Sequence, residues 1–296
     1  MEFKFLGIFE LLRPFTLLAP IIVSSCVMIA SLIYSSETNI SLLSIVLTIT
    51  TASICFALLN GASNALNQST DFIEDKISKP YRPLPRGNIS KKEAERISYV
   101  LYIFAISLSF LINITFALFI ILISVFSITY SIPPRMKKFL ILNQVWVAIP
   151  RGFLGILGSW SVFGDPFQKL PMAIGCIAAI FLFGGTSTKD ILDSEADKKA
   201  GTKTLVNVFG VRKAAFLSLF FMILSFALII PLIILKLIEF YLLPLASLAI
   251  LSFVIFWFMI HNRKNERGEN TSSWTLMYAT YMIYLMVFAF LTYFYA

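Results

Sequence analysis

The sequence predicts an all-α, polytopic membrane protein with nine transmembrane helices. Of its 296 residues, 58% are hydrophobic and only 14% are charged, and the mean hydropathy is +0.84. Soluble domains carry about 25% charged residues. Apolar runs of about twenty residues, the length that crosses a bilayer as a helix, recur from Phe15 to the C-terminus. These runs are continuous rather than alternating, which excludes a transmembrane β-barrel.

The nine expected spans are residues 15–34, 41–66, 94–112, 114–132, 140–162, 170–188, 213–235, 240–260 and 273–295. The N-terminal segment MEFKFLGIFELLRP is amphipathic and has no small-residue cleavage site, so we expect a retained interfacial helix rather than a signal peptide. The spans form one integral membrane domain over residues 1–296, with connecting segments at 67–93, 133–139 and 189–212.

The basic residues predict the orientation of these spans. If the N-terminus is cytoplasmic, all but three of the 24 lysines and arginines fall in cytoplasmic segments, including a cluster at 263–267. The exceptions are Lys169, Lys236 and Arg151. The positive-inside rule therefore predicts a cytoplasmic N-terminus, a C-terminus outside and polar motifs on the cytoplasmic side. This distribution explains the net charge of +8 without a nucleic-acid partner, and we expect none.

A first row of oxygen-bearing side chains follows the second span. Asn67, Asp71 and Asp75 are spaced four residues apart, and on a helix each step turns about 40° and rises about 6 Å, so all three share one stripe. Acids at a membrane boundary require a cationic partner. Hard oxygen ligands favour Mg²⁺ or Ca²⁺ over zinc, so we predict that this row holds Mg²⁺ and, through it, a diphosphate.

A second acidic row follows the sixth span. Asp190, Asp193 and Asp197 lie at i, i+3 and i+7, again one helical face, whereas Glu195 points elsewhere. One such cluster alone is also typical of a solvated helix end. Two rows on the same side of the membrane favour a shared cavity that holds two Mg²⁺ ions.

The proline-rich segment between 76 and 96, KISKPYRPLPRGNISKKEAER, separates the first row from the third span. Its prolines and glycine prevent a continuous helix, and Ser90 with Glu93 forms a capping-box start for the next one. Arg82 and Arg86 carry guanidinium groups suited to phosphate oxygens. The alternative is an ordinary positive-inside loop.

Tyr130 immediately precedes the helix-breaking pair Pro133 and Pro134 and the basic cluster RMKK. An interfacial tyrosine is commonly a belt residue. Beside the predicted cavity, its hydroxyl would instead reach a phosphate oxygen or a reacting ring.

Arg151 lies about ten residues inside the fifth span, between Pro150 and Gly152. A charge at that depth faces a bundle interior or a water-filled cavity. A salt bridge to a motif acid and a contact with an acceptor substrate are both open.

Other chemistries have little support. His261, the only histidine, ends the eighth span, and Cys26, Cys55 and Cys176 lie in apolar runs without metal-binding spacing. The sequence contains no GxxxxGK, GxGxxG or HExxH motif.

Two carboxylate rows with Mg²⁺, ringed by Arg and Lys at the mouth of an apolar bundle, suit a molecule with a diphosphate head and a hydrocarbon tail. The metal would neutralise the leaving diphosphate as the C–O bond breaks. The allylic cation then forms in a dry pocket, where aromatic faces stabilise it and an electron-rich acceptor captures it.

The motifs NQSTDFIED, KPYRPLPRGNIS, YSIPPRMKK and KDILDSEADKKAGTKTL are similar to those of the UbiA superfamily of intramembrane prenyltransferases, over residues 10–213. The resemblance implies nine helices around a central cavity with cytoplasmic caps, Mg²⁺ dependence and an isoprenyl diphosphate donor, from geranyl to longer polyprenyl chains. The metal ligands it implies are Asn67, Asp71, Asp75, Asp190, Asp193 and Asp197. Arg13, in the LLRP segment, and Lys137 or Lys138 match diphosphate contacts.

Taken together, the predicted catalytic residues are Asp71, Asp75, Asp193, Asp197 and Tyr130. The predicted substrate-binding residues are Asn67, Arg13, Arg82, Arg86, Lys137, Lys138, Lys189 and Arg151.

The acceptor is predicted from two further segments. AIPRG around Arg151 and VFGVRKAAFL after the second row resemble the homogentisate branch, which implies an aromatic quinone precursor. The KDxxDxxxD pattern with its following glycine is shared with the archaeal ether-lipid branch, so prenylation of geranylgeranylglyceryl phosphate is the alternative. From another class, a divalent-cation or organic-anion transporter would place its acids near mid-bilayer on broken helices. Intact metal motifs argue against a silent lipid-binding scaffold.

Overall fold

The computed structural model describes residues 2–35, 40–261 and 271–296, and every regular element in these ranges is helical, which confirms the all-α class. The basic cluster at 263–267 lies outside the described residues. The helices are α1 (Glu2–Leu12), α2 (Pro14–Tyr34), α3 (Leu42–Thr70), α4 (Phe72–Ser78), α5 (Lys91–Ser109), α6 (Ile114–Ser131), α7 (Leu142–Ala148), α8 (Gly155–Trp160), α9 (Lys169–Gly185), α10 (Ser187–Lys199), α11 (Leu205–Ala227), α12 (Ile229–Ile234), α13 (Ala249–His261) and α14 (Ser272–Tyr295). Two 3-10 segments, Met136–Lys138 and Phe240–Leu248, and a π-helical turn, Ile149–Leu154, complete the helical structure.

Seven stretches of the described chain are long and apolar enough to cross a membrane. They are Pro14–Tyr34, Leu42–Thr70, Ile114–Ser131, Lys169–Lys199, Leu205–Ile234, Phe240–His261 and Ser272–Tyr295. The other two predicted spans are also helical, but one begins with charged residues and the other is not a continuous helix. Helix α5 opens with the charged sequence KKEAER, and the predicted span at 140–162 is divided into α7, the π-helical turn and α8, none longer than seven residues. The count of nine therefore stays a prediction.

Two apolar clusters form the core, and α2 contributes to both. One cluster joins α2 to α9, α11, α13 and α14, with Phe181 and Tyr284 among its fully buried side chains. The other joins α2 to α3, α5, α6 and α8 around Phe116. Residues of both clusters line the cavity described below.

The proline-rich segment is anchored over the end of α3. Residues 79–90 form turns only, as their prolines require. The predicted capping box is confirmed: the Ser90 side chain accepts from the Glu93 N–H at 3.3 Å, and the Glu93 carboxylate accepts from the Ser90 N–H at 2.9 Å. Leu84 and Ile89 are buried in a small cluster with Leu11 of α1, which fixes the segment against the bundle.

The segment that follows the end of α6 buries a lysine side chain inside the protein. Helix α6 ends at Ser131, the peptide bond between Pro133 and Pro134 is cis, and Arg135 adopts a left-handed backbone with φ 59°. The 3-10 segment that follows leaves the Lys137 side chain buried, with the residue only 7% exposed.

The π-helical turn packs directly on α9. A Cβ added to Gly152 would lie 2.6 Å from the backbone N and Cα of Ala179, a separation that no side chain tolerates. Gly152 therefore sets how closely the turn approaches α9.

We expect Gly152→Ala to destabilise the protein by about 1–3 kcal/mol, because the added methyl group overpacks a backbone contact that cannot move aside. Thermal unfolding of the purified protein in detergent measures the loss. Gly61→Ala is the control for substituting a glycine inside a helix. A Cβ at Gly61 comes no nearer than 3.4 Å to another residue, at Leu12 Cδ2, which is an ordinary van der Waals contact. Equal melting temperatures for Gly152→Ala and the parent protein would contradict the tight contact.

Candidate active site

A cavity of about 280 Å³ lies between the two apolar clusters. Its polar end, which we call the mouth, is lined by Asn67, Asp71, Asp75, Lys79, Arg82, Lys137, Lys189, Asp190, Asp193 and Asp197. Its apolar end, which we call the chamber, is lined by Phe56, Leu59, Ile123, Trp146, Leu182, Met277, Tyr278 and Tyr281. From Phe56 to Asp71 the cavity follows α3 for fifteen residues, about 22 Å.

The first row lines the mouth where α3 gives way to α4. Asp71 stands at the junction between these helices. The backbone bonds from Asp71 N to Asn67 O, 2.9 Å, and from Asp75 N to Asp71 O, 2.8 Å, keep the helical spacing across it. All three side chains of the row therefore border the same cavity.

Asp71 is paired with two cations from the segment after α6. Arg135 Nη2 lies 2.6 Å from Asp71 Oδ1, and Lys137 Nζ contacts the same oxygen. Burial by itself raises the pKa of Asp71, but the charges and hydrogen bonds of Lys137 and Arg135 outweigh it and hold that pKa below its usual range. The two cations therefore favour the ionised form of Asp71.

Asp75 and Arg82 form a buried ion pair. Arg82 Nη1 donates to both carboxylate oxygens of Asp75, at 3.0 and 2.8 Å, and the two residues are 6% and 4% exposed. Burial raises the pKa of Asp75, and the charge of Arg82 opposes that rise. Arg82 thus ties the proline-rich segment to the first row.

The second row lines the mouth from α10. Lys79, which follows the first row, donates to Asp193 Oδ2 at 2.6 Å. One lysine therefore bridges from the segment after the first row to the second row, and the two rows share one cavity.

Asp190 is one of four residues joined in a closed ring of hydrogen bonds. The Tyr130 hydroxyl donates to Asn143 Oδ1 at 2.9 Å, and Asn143 Nδ2 donates to Asp190 Oδ2 at 3.2 Å. Lys189 Nζ donates to Asp190 Oδ1 at 2.7 Å and to the Tyr130 hydroxyl at 3.3 Å. All four residues line the cavity. The ring fixes Tyr130 and Asp190 against each other.

Not every predicted substrate-binding residue reaches the cavity. Arg13 borders it from the start of α2, with a left-handed φ of 56°. Arg86 does not line it and pairs with Glu10 of α1 instead. Lys138 does not line it either, and its carbonyl accepts from the Lys203 N–H at 3.0 Å. His261 stacks on Trp257, away from the site.

Four residues of the site were not among the predicted ones: Lys79, which bridges the two rows, and Glu74, Arg135 and Asn143. Asn143 completes the ring around Asp190, and Arg135 with Glu74 extends the ion pairs of the first row, Arg135 Nη2 lying 3.4 Å from Glu74 Oε1. Asn143 is a polar residue in an apolar run, which is a weak sequence signal. Glu74 and Arg135 carry no spacing that distinguishes them from surface charges.

The donor set of the mouth fits a hard divalent cation. It consists of carboxylate and amide oxygens, the ligands that Mg²⁺ prefers. Asp193 Oδ1 is buried without a hydrogen-bond partner, which is the kind of oxygen that a metal ion satisfies. Within the described ranges no three acidic, cysteine or histidine side chains converge on a single point, because the acids turn towards neighbouring lysines and arginines.

Comparison with known proteins identifies the family. The sequence profile of the UbiA prenyltransferase family matches residues 22–277. The chain is 30% identical over 176 residues to digeranylgeranylglyceryl phosphate synthase of Methanosphaera stadtmanae, covering 58% of this chain and 62% of that protein. It is 32% identical over 218 residues to a chloroplastic homogentisate solanesyltransferase of Arabidopsis thaliana, covering 70% of this chain and 55% of that protein. The chain thus spans little more than half the length of these curated relatives.

A solved structure shares the fold over nearly the whole chain. It is a UbiA homolog from Archaeoglobus fulgidus bound to GPP and Mg²⁺, 22% identical with a TM-score of 0.71, and the match covers 97% of this chain and 98% of that one. The profile match extends over most of the sequence and includes both acidic rows. The chain belongs to the UbiA prenyltransferase family.

Proposed function

We propose that the protein transfers an isoprenyl group from an isoprenyl diphosphate to a membrane-accessible acceptor, with Mg²⁺ as cofactor. The observation that carries the proposal is the meeting of the two acidic rows in one mouth, linked by the contact between Lys79 and Asp193. The cavity follows α3 for about 22 Å, from Asp71 in the mouth to Phe56 in the apolar chamber, and this length suits a hydrocarbon tail.

The mouth binds the head of the donor. We assign two Mg²⁺ sites to the six oxygen ligands Asn67, Asp71, Asp75, Asp190, Asp193 and Asp197. Bound there, Mg²⁺ supplies charge neutralisation to the leaving diphosphate. Lys79, Arg82, Lys137 and Lys189 then turn from the acids to the diphosphate oxygens, and Arg13 contacts the diphosphate from α2.

The reaction breaks the bond between C1 and the bridging oxygen, and the electron pair leaves with the diphosphate. An electron-rich atom of the acceptor forms the new bond to C1 and loses its proton to a carboxylate of the rows. Tyr130, held by Asn143 and Lys189, faces this exchange. The aromatic walls of the chamber exclude water and stabilise the allylic cation.

We favour an aromatic quinone precursor as the acceptor. The AIPRG segment and the 32% identity to a protein named homogentisate solanesyltransferase support it. A lipid acceptor, geranylgeranylglyceryl phosphate, is the second candidate, supported by the 30% identity to proteins named digeranylgeranylglyceryl phosphate synthase.

We further propose that the mouth faces the cytoplasm, with the N-terminus inside and the C-terminus outside. The acids lie at the end of α3 and on α10, beyond the apolar part of α9. A transporter would hold them near mid-bilayer, so the enzyme is the better interpretation.

Incubation of the purified protein with Mg²⁺, geranyl or geranylgeranyl diphosphate and a panel of acceptors tests the function. We expect one prenylated product and an equal amount of diphosphate, read by mass spectrometry and a diphosphate assay. Replacing Mg²⁺ with EDTA is expected to stop both. Turnover that persists in EDTA would contradict the metal-dependent mechanism.

A further inference from the structure

A row of amide side chains lies on α3 beside the first acidic row. Asn60, Asn64 and Gln68 are spaced four residues apart, so they share one stripe of the helix, and all three border the cavity. Gln68 follows Asn67 directly, which places this end of the row at the level of the mouth. The oxygen of Asn60 accepts from Arg151 Nη2, at 3.3 Å. The N–H groups of all three amides donate to one short stretch of backbone.

That stretch is the break between α1 and α2, around Arg13. Helix α1 ends at Leu12, and Pro14 at the start of α2 has no N–H group with which to continue the helical hydrogen bonds. Arg13 between them has a left-handed backbone, with φ 56° and ψ 69°, a conformation that costs free energy in any residue with a side chain. Such a conformation persists only where the surrounding structure holds it.

The amides hold carbonyl groups at the end of α1, which lack partners within that helix. Gln68 Nε2 donates to the Leu11 carbonyl at 2.8 Å. Asn64 Nδ2 donates to the Leu12 carbonyl at 2.9 Å. The two peptide groups that lead into Arg13 are therefore fixed to α3 by side chains.

Thr16 extends this support to Arg13 itself. The backbone N–H and the hydroxyl of Thr16 both donate to the Arg13 carbonyl, at 2.8 and 2.9 Å. The same hydroxyl accepts from Asn64 Nδ2 at 2.9 Å. The backbone on both sides of Arg13 is therefore tied to α3, next to the first acidic row.

Gln68 is not the residue that packing alone would favour. It is 2% exposed, and its Oε1 has no hydrogen-bond partner among the described residues. A buried polar atom without a partner destabilises a fold. A methionine of similar size would avoid that cost but could not donate to the Leu11 carbonyl. The glutamine therefore suits a role in holding the backbone better than one in filling space.

We propose that Asn64 and Gln68 are positioning residues for the donor: they hold the backbone around Arg13 so that its guanidinium group is kept in place for the diphosphate. This inference rests on the proposed function, in which Arg13 contacts the diphosphate. The diphosphate carries negative charge both before and after the C–O bond breaks. Loss of the positioning should therefore weaken donor binding much more than it slows the bound complex.

The affinity for inorganic diphosphate in the presence of Mg²⁺ tests the inference without requiring turnover. Titration calorimetry of the full chain in detergent gives the Kd. We expect Arg13→Ala to raise this Kd about tenfold to a hundredfold, the range of a charge-assisted hydrogen bond, and Gln68→Met and Asn64→Leu to raise it about fivefold each. Gln168→Ala, which replaces an exposed glutamine outside the cavity, is the matched control and should leave the Kd unchanged.

Combined variants show whether the two amides act through Arg13. In an Arg13→Ala background the guanidinium group is absent, so we expect Gln68→Met and Asn64→Leu to change the Kd by less than about twofold. A merely structural role would instead weaken binding by the same factor in both backgrounds. In turnover of geranyl diphosphate, the two single variants should raise the KM for the donor about fivefold, with kcat and the KM for the acceptor within about twofold of the parent protein.

Unchanged diphosphate affinity in Gln68→Met and Asn64→Leu overturns the inference, as does an equal loss in the Arg13→Ala background. A parent protein that binds no diphosphate overturns it as well. If one variant fails to fold, the other decides, because each removes a separate bond to the break between α1 and α2; failure of both to fold assigns the amides to structure alone and overturns the inference. A parent protein that binds diphosphate but prenylates no acceptor refutes the proposed function, whereas the Kd values still decide the positioning role.

Discussion

Asp193→Asn is expected to reduce isoprenyl transfer on the order of a thousandfold, and Asp71→Ala by at least as much. Asparagine keeps the size of the side chain but removes the negative charge, so the proposed metal ligand loses its charge while the packing of α10 is preserved. Several kcal/mol of charge stabilisation at the leaving diphosphate disappear, and each 1.36 kcal/mol is a factor of ten in rate. Diphosphate release at saturating donor measures the loss.

The matched control is Glu195→Gln on the same helix. Glu195 is exposed and does not line the cavity, so its turnover should stay within about twofold of the parent protein. Near-normal turnover in both Asp193→Asn and Asp71→Ala would refute the assignment of these acids as ligands.

Arg82→Met is expected to lower the free energy of unfolding by about 3–5 kcal/mol. The substitution removes the cation that accompanies Asp75 and leaves a buried carboxylate without its charge partner, which is far more costly than losing a surface pair. Chemical or thermal unfolding in detergent, without Mg²⁺, measures the change.

Arg86→Met provides the comparison from the same segment. Its pair with Glu10 is solvent-accessible, with side chains 39% and 34% exposed, so its loss should amount to about 0–1 kcal/mol. Equal destabilisation by the two substitutions would show that burial of the pair between Asp75 and Arg82 has no energetic consequence.

The sequence was most informative where local chemistry decides the structure. The apolar runs predicted an all-helical chain, the pair Ser90 and Glu93 predicted the start of α5, and Pro133 with Pro134 predicted the end of α6. Helical spacing also predicted which acids share a face, and both rows border one cavity. Each of these features depends on residues close together in the chain.

Features that depend on distant partners could not be predicted in this way. Arg82 and Arg86 have the same side chain and similar neighbours, yet one turns into the cavity and the other reaches α1. Asn143 acquires its role only when α7 packs beside Asp190. The close approach of Gly152 to α9 likewise depends on a distant partner, and no local pattern reveals it.

The ion pairs of the mouth have a consequence for how the two proposed ligands affect each other's binding. A free divalent ion would have to separate aspartates from lysines that already neutralise them, and a free pyrophosphoryl group would have to separate the same lysines from the aspartates. When the metal ion and the diphosphate bind together, the aspartates pair with the metal and the lysines pair with the diphosphate, so no charge is left unpaired. Each ligand should therefore tighten the binding of the other by the same factor, whichever of them binds first.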